Sequence, residues 1–347
     1  MKILWSAVLA LLVLLHSAQA QTVRAAVGEP LQHAQTRIAA GDYAAALRDI
    51  DSAAEVPGLS GYEKLVIAQL RGAAAAGEGD YPQAASAYQA VLAAPQTPAA
   101  ERLPLTQAIA GFYYQAGEYG PAELWVKRYI AAGGTDPDTR ALLAQAYYEN
   151  GDYAGTEAAV QAQTAPNAAA LQLFASAAQK AGDPKGYATA IDDLLRVAPS
   201  AQYWEIALGL VENAPDFPDA ATIDLYRLRL ATGTLTDPED YEDYAERAIL
   251  AGQKLEARNV VDAGFAAGVL NAQTDAGHAQ RLRALVDQPG AANAPVAGAV
   301  PLDAAVARIE VGDFAAAQGL LAQVPGPEAG LAQLWSIYAQ GKAAGKN

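Results

Sequence analysis

The chain has 347 residues, a formal net charge of −15 at pH 7 and no cysteine. Without thiols it makes no disulfide, thiolate metal site or cysteine nucleophile, and it lacks the cysteine that carries the lipid of a bacterial lipoprotein. Acidity on this scale argues against nucleic acid and anionic lipid, which are held by clustered Lys and Arg; it fits a basic protein partner, or serves solubility alone.

The first twenty residues read as an address. Met1 and Lys2 give a positive start, Ile3 to Leu15 is an uncharged apolar run, and Ala18-Gln19-Ala20 has the small-x-small pattern of a signal peptidase site. This predicts export, with cleavage between Ala20 and Gln21 and a periplasmic location. The apolar run is shorter than the roughly 20 residues that cross a bilayer, so no membrane insertion is expected after signal cleavage. Beyond it, abundant alanine and few aromatics favour helix.

From residue 21 onward a tight turn recurs, Gly-acid-aromatic, usually with Ala three residues after the aromatic. It reads Gly41-Asp42-Tyr43 with Ala46, Gly79-Asp80-Tyr81 with Ala84, and Gly117-Glu118-Tyr119 with Ala122. It recurs at Gly151-Asp152-Tyr153 with Thr156, and near the C-terminus at Gly312-Asp313-Phe314 with Ala317. The first four glycines are 38, 38 and 34 residues apart, a period that marks stacked helix pairs. Gly ends the first helix by taking a left-handed backbone, and the acid caps the second helix. The aromatic is expected to anchor the pair, and Ala to let the backbones approach. The turn is degenerate at Gly182-Asp183-Pro184 and Gly252-Gln253-Lys254, where Ala257 keeps the small position.

Further along, Ala201 to Asn213 predicts a helix broken by Pro215 and Pro218, and Asp219 to Thr232 the next. Asp237 reads as a helix cap with Pro238 in the first turn. Residues 287–301 have no apolar period and read as a flexible Pro/Gly/Ala linker. After it, Pro301-Leu302, Arg308-Ile309 and Gly312-Asp313 repeat Pro30-Leu31, Arg37-Ile38 and Gly41-Asp42 at a constant offset of 271. This C-terminal pair plus final helix, 302–347, is expected to dock, because Leu320, Leu321, Leu331, Leu334 and Trp335 need cover. The helical array itself is assigned to 21–286.

Small and aromatic residues flank two of the turns, in Ile109-Ala110-Gly111-Phe112-Tyr113-Tyr114 and Leu142-Leu143-Ala144-Gln145-Ala146-Tyr147-Tyr148. They resemble the first helix of the tetratricopeptide repeat. The resemblance implies an all-α, tetratricopeptide-like right-handed α-solenoid of stacked antiparallel helix pairs. It also implies a concave protein-binding face lined by Gln107, Gly111, Tyr114, Gln145, Tyr148 and Glu149, extended by Tyr203 and Trp204. Tyr113 and Tyr147 are expected to pack between helices.

Motifs for chemistry are sparse. His33 and His278 lie far apart in the mature chain with no metal-ligand spacing, and His33 reads as a surface residue of the first helix. Gly58-Leu59-Ser60-Gly61-Tyr62 lacks the last glycine of a nucleophile elbow, and no phosphate-binding or dinucleotide glycine pattern occurs. The acidic run Asp237, Glu239, Asp240, Glu242, Asp243 lacks the central Gly of a calcium loop. It reads as a solvated helix start, or as a docking patch for a basic partner. No catalytic, cofactor or metal residue is assigned.

In the C-terminal half, Leu225-Tyr226, Gly233-Thr234-Leu235, the turn at Gly252, Asn259-Val260-Val261-Asp262-Ala263-Gly264 and Gly268-Val269-Leu270 follow one another. This order resembles periplasmic tetratricopeptide proteins that accompany TonB–ExbB–ExbD systems, over roughly residues 60–270. It implies a non-enzymatic scaffold for a protein or peptide partner in the cell envelope, accessory to TonB-dependent outer-membrane uptake. A scaffold for envelope or polysaccharide-export assembly is the alternative, and an envelope hydrolase on a helical array a third.

Overall fold

The computed structural model describes residues 22–270, 276–287 and 301–345. The expected signal segment, most of the expected linker and the His278 side chain lie outside the described residues. The described chain is all-α, with eighteen α-helices packed as adjacent pairs in a solenoid-like repeat, and no strand among the described residues. No helix among them is long and apolar enough to cross a membrane. The described residues divide into two compact units, one running to 166 with 176–182, the other 167–175 with 183 onward.

In the first unit, α1 (Ala25–Ala40), α2 (Tyr43–Ala54), α3 (Gly61–Glu78) and α4 (Tyr81–Ala93) are followed by α5 (Ala99–Gln115), α6 (Tyr119–Ala131), α7 (Pro137–Glu149) and α8 (Tyr153–Gln161). Each packs against the next. The expected turn chemistry recurs. Gly41, Gly79, Gly117 and Gly151 have φ of 77°, 88°, 74° and 79°, where a Cβ would be strained. In each turn the N–H after the glycine donates to a carbonyl five residues back, as Asp42 N–H does to Arg37 O at 2.9 Å. Asp42, Asp80 and Asp152 then cap α2, α4 and α8 through their side chains. Glu118 sits at the same place but makes no side-chain cap bond, because its extra methylene overshoots the N–H groups that Asp reaches.

The small position is fully buried in every pair: Ala46, Ala84, Ala122 and Thr156 are each 0% exposed. The Thr156 hydroxyl donates to Asp152 O at 3.0 Å, so the polar replacement is satisfied. The aromatic position behaves in two ways. Tyr119 and Tyr153 meet Tyr114 and Tyr148 of their own pair edge-on, with centroids 5.4 and 5.7 Å apart. Tyr81 instead stacks on Phe112 of the next pair at 6.3 Å. Tyr43 lies against Gly77 of α3, where an added Cβ would run into the ring. Tyr43 and Tyr81 thus join neighbouring pairs, whereas Tyr119 and Tyr153 close their own, and the Tyr153 ring centroid also lies 5.6 Å from Lys180 Nζ beyond it.

In α9 (Ala168–Ala181) residues fall to both units. The second unit continues with α10 (Pro184–Val197), α11 (Ala201–Glu212), α12 (Thr222–Thr232), α13 (Pro238–Leu250), α14 (Lys254–Ala266) and α15 (Ala276–Val286). It ends with α16 (Pro301–Glu310), α17 (Phe314–Leu321) and α18 (Ala329–Ala343). Asp237 caps α13 with Pro238 in its first turn. The last helix docks on α10, α11 and α12, and α16 meets α12. Leu331, Leu334, Trp335, Ile337 and Tyr338 are all buried there. Tyr338 meets Trp204 edge-on at 6.2 Å, and the Trp335 indole N–H donates to Asp224 O at 3.3 Å.

Candidate functional site

The residues named for a binding face in the first unit fall on two first helices. On α5, Gln107, Gly111 and Tyr114 are spaced by four and three, which makes one stripe. All three are half-buried. Gln107 donates from Nε2 to Thr139 Oγ1 at 2.7 Å and to Asp136 Oδ1 at 3.3 Å, which ties it to the start of α7. A Cβ added at Gly111 would meet nothing within 4 Å, so the stripe is open at that point. On α7, Gln145 and Glu149 are exposed and Tyr148 is half-buried.

Tyr148 is the most constrained of these side chains. Its hydroxyl shares a hydrogen bond of 2.7 Å with Ser176 Oγ, and Lys180 Nζ stands 4.9 Å from its ring centroid. The Ser176 bond, with Lys180 beside it, lowers the Tyr148 phenol from its ordinary range and outweighs desolvation. Burial, then the Glu149 and Tyr119 neighbours, raises the Tyr114 phenol. The face thus presents tyrosine rings whose rotamers are already set, between exposed amide and carboxylate groups. Tyr113 and Tyr147 pack as expected of them. Tyr113 lies against the core and accepts from Gln89 Nε2, and Tyr147 lies under Lys127 Nζ at 5.1 Å from the ring centroid.

The proposed extension divides. Tyr203 is half-buried and accepts a hydrogen bond from Gln172 Nε2 at 2.7 Å. Trp204 is only 4% exposed and packs on Tyr338, so it is a core residue of the second unit and lines no open face. Its apolar ring is covered by a helix more than a hundred residues away, which no local pattern announces.

The acidic run at the start of α13 is partly spent inside the fold. Asp237 accepts from Glu239 N–H at 2.9 Å as the cap. Asp243 accepts from Tyr226 Oη at 3.0 Å and from Arg247 Nε at 2.7 Å, and Asp240 lies 3.5 Å from Tyr226 Oη. Asp237 and Glu239 are exposed, whereas Asp240, Glu242 and Asp243 are half-buried.

Two charged constellations escaped sequence reading. In the first unit Glu63 is 1% exposed. It takes Arg24 Nε and Nη2 at 2.9 Å each, Arg24 N–H at 3.0 Å and Ser60 N–H at 2.8 Å. Arg24 above all, then those N–H groups, hold its carboxyl well below the usual range. Ser60 caps α3 by accepting from Glu63 N–H, so this serine completes a capping box. Ser-x-x-Glu was the available signal.

In the second unit Arg227 of α12 contacts three carboxylates. It reaches Asp224 at 2.6 Å, Glu256 of α14 at 2.7 and 2.8 Å, and Asp303 of α16 at 3.2 Å. Tyr244 of α13 donates to Glu256 at 2.6 Å. Sequence separations of 29 and 76 residues hid this cluster. Among the described residues no three His, Asp or Glu side chains converge as a cation site.

In comparisons with known proteins, no family model matches the chain and no curated protein is significantly similar to it. Functional assignment therefore rests on these residues.

Proposed function

We propose that the protein is an exported, periplasmic tetratricopeptide-like scaffold, a binding protein rather than an enzyme, that takes a protein or peptide partner on the face built by α5 and α7. Its most specific form is an accessory to TonB-dependent energy transduction and outer-membrane uptake. The observation that carries the binding reading is the stripe Gln107, Gly111 and Tyr114 beside Gln145, Tyr148 and Glu149. Aromatic rings with preset rotamers next to exposed polar groups suit partner recognition, because little entropy is lost on contact.

The experiment is photo-crosslinking in cells, with the crosslinker at Gln145 and, as control, at Leu124 on the second helix of the α5–α6 pair. Recovery of TonB, ExbD or a TonB-dependent receptor from Gln145 alone, lost in Gly111→Arg, supports both parts of the reading. Recovery of envelope-assembly or polysaccharide-export proteins from Gln145 keeps the face and discards the TonB link. Equal capture from both positions, or none from Gln145, overturns the face.

A further inference from the structure

Arg227 is one cation among three carboxylates. Asp224 is 6% exposed, and its Oδ1 shares a single nitrogen, Arg227 Nη1, with Asp303 Oδ1, at 2.6 and 3.2 Å. Glu256 occupies the other edge of the guanidinium through Nε and Nη2 and is further held by the Tyr244 hydroxyl. With all three acids ionised the cluster carries a net charge of −2 in a half-buried place, and burial of unbalanced charge is costly. The cheapest relief is one proton.

The helices around the cluster decide which acid takes it. Around Asp224 stand Arg227 on its own helix α12, Glu256 from α14 with Tyr244 from α13 behind it, and Asp303 from α16. From α18, Trp335 reaches only its backbone carbonyl. Glu256 has two N–H donors and a hydroxyl, which favour its charged form. Asp224 has one shared N–H and the deepest burial. Asp303 is the more exposed member, and it belongs to the C-terminal helices that return to α12 from beyond residue 300.

We propose that this cluster is a proton-operated latch for the C-terminal helices: neutral Asp224 lets Asp303 share Arg227 and holds residues 301–345 on α12, and ionised Asp224 repels Asp303 and loosens them. Burial, against partial relief by Arg227, pushes Asp224 from its ordinary value of 3.8 up to about 6. Burial also works against Glu256, but Arg227 and Tyr244 outweigh it and leave that carboxyl lowered. A raised carboxylate contributes stability that is complete below its unfolded value and is lost as pH rises through its folded value. The seat is therefore tighter in mild acid than at neutral pH. Its release uncovers an apolar groove on α10 to α12, now filled by Leu331, Leu334, Trp335 and Tyr338.

The test is hydrogen exchange on the full mature chain, read as amide protection of α18 at about pH 5 and about pH 8 after correction for intrinsic exchange. A carboxyl that regains its ordinary value on release gives about a ten-fold loss of α18 protection over that interval. Asp224→Asn, which mimics the neutral acid, is expected to abolish the loss and keep α18 protected at both pH values. Asp303→Asn removes the repulsion but leaves Asp224 buried, so it is expected to lessen the loss, and it serves if Asp224→Asn fails to fold. Protection of α1 to α6 should not move. A wild-type α18 whose protection is independent of pH, or an Asp303→Asn variant as pH-sensitive as wild type, overturns the latch. So does an equal loss across α13, α14 and α18.

Discussion

Asp42, Asp80 and Asp152 each accept a hydrogen bond from the N–H three residues on, at 3.2, 3.0 and 2.8 Å, and Glu118 at the equivalent place does not. The expected consequence is unequal mutational cost. Asp152→Ala should destabilise the first unit by about 1 kcal/mol, and Glu118→Ala by a few tenths at most, in denaturant titrations. A similar contrast separates two helical glycines. Gly77→Ala places a methyl group into the Tyr43 ring and should cost about 1–3 kcal/mol. Gly111→Ala meets nothing and should be neutral, or stabilising by roughly 0.5–1 kcal/mol. If both glycines respond alike, the open stripe on α5 is not open. The repeat made the caps readable from sequence; it did not distinguish Gly77 from Gly111, because what differs is the neighbour across the helix interface.

At the scale of elements, Glu63 joins the segment before α1 to the start of α3. Its carboxyl is lowered by Arg24 and the N–H groups that face it, so it contributes stability above its ordinary value of 4.5 that is lost as pH falls through its folded value. Wild-type protein should therefore show an acid-side loss of α1 protection that Glu63→Gln lacks, with Glu63→Gln the less protected of the two at neutral pH. Equal acid slopes for the two proteins would remove Glu63 from this role. The alternating partners of the aromatic anchor belong to the same scale. Tyr43 and Tyr81 pin the next pair, where Gly77 and Phe112 receive them, and Tyr119 and Tyr153 close their own pair. A period of 38 or 34 residues announces an anchor but not the side on which it lands.

Across the whole molecule, each unit has a core of its own. In the first, Leu65, Tyr88, Leu105, Ile109, Trp125 and Val126 form one cluster. In the second, Tyr226, Leu235, Tyr241, Tyr244, Val260 and Leu270 form another, and Trp335 closes the seat of α18 on α12. Trp335→Ala removes a buried ring that is 3% exposed and should cost the second unit about 3–5 kcal/mol. In hydrogen exchange the loss should concentrate in α10 to α12 and α18, with α1 to α6 unchanged. Uniform loss through the chain would show instead that the two units unfold as one.

What is local and periodic can be read along the chain. Gly at the end of one helix, Asp at the start of the next and Ala three residues past the aromatic are each dictated by backbone geometry within a few residues. Their recurrence was enough to read an all-α array of helix pairs, with the Pro215–Pro218 break and the Asp237-Pro238 start in place. What depends on approach between distant segments emerges only once the helices pack. Trp204 reads as a lining residue from its neighbours in sequence, yet α18 covers it. Asp240 and Asp243 read as part of a solvated helix start or a docking patch, yet both face Tyr226, and Arg227, Glu256 and Asp303 carry no sign of one another in sequence. The difference is one of range: a cap or a turn is satisfied by its own neighbours, whereas burial and charge balance are set by whichever helix returns to cover them.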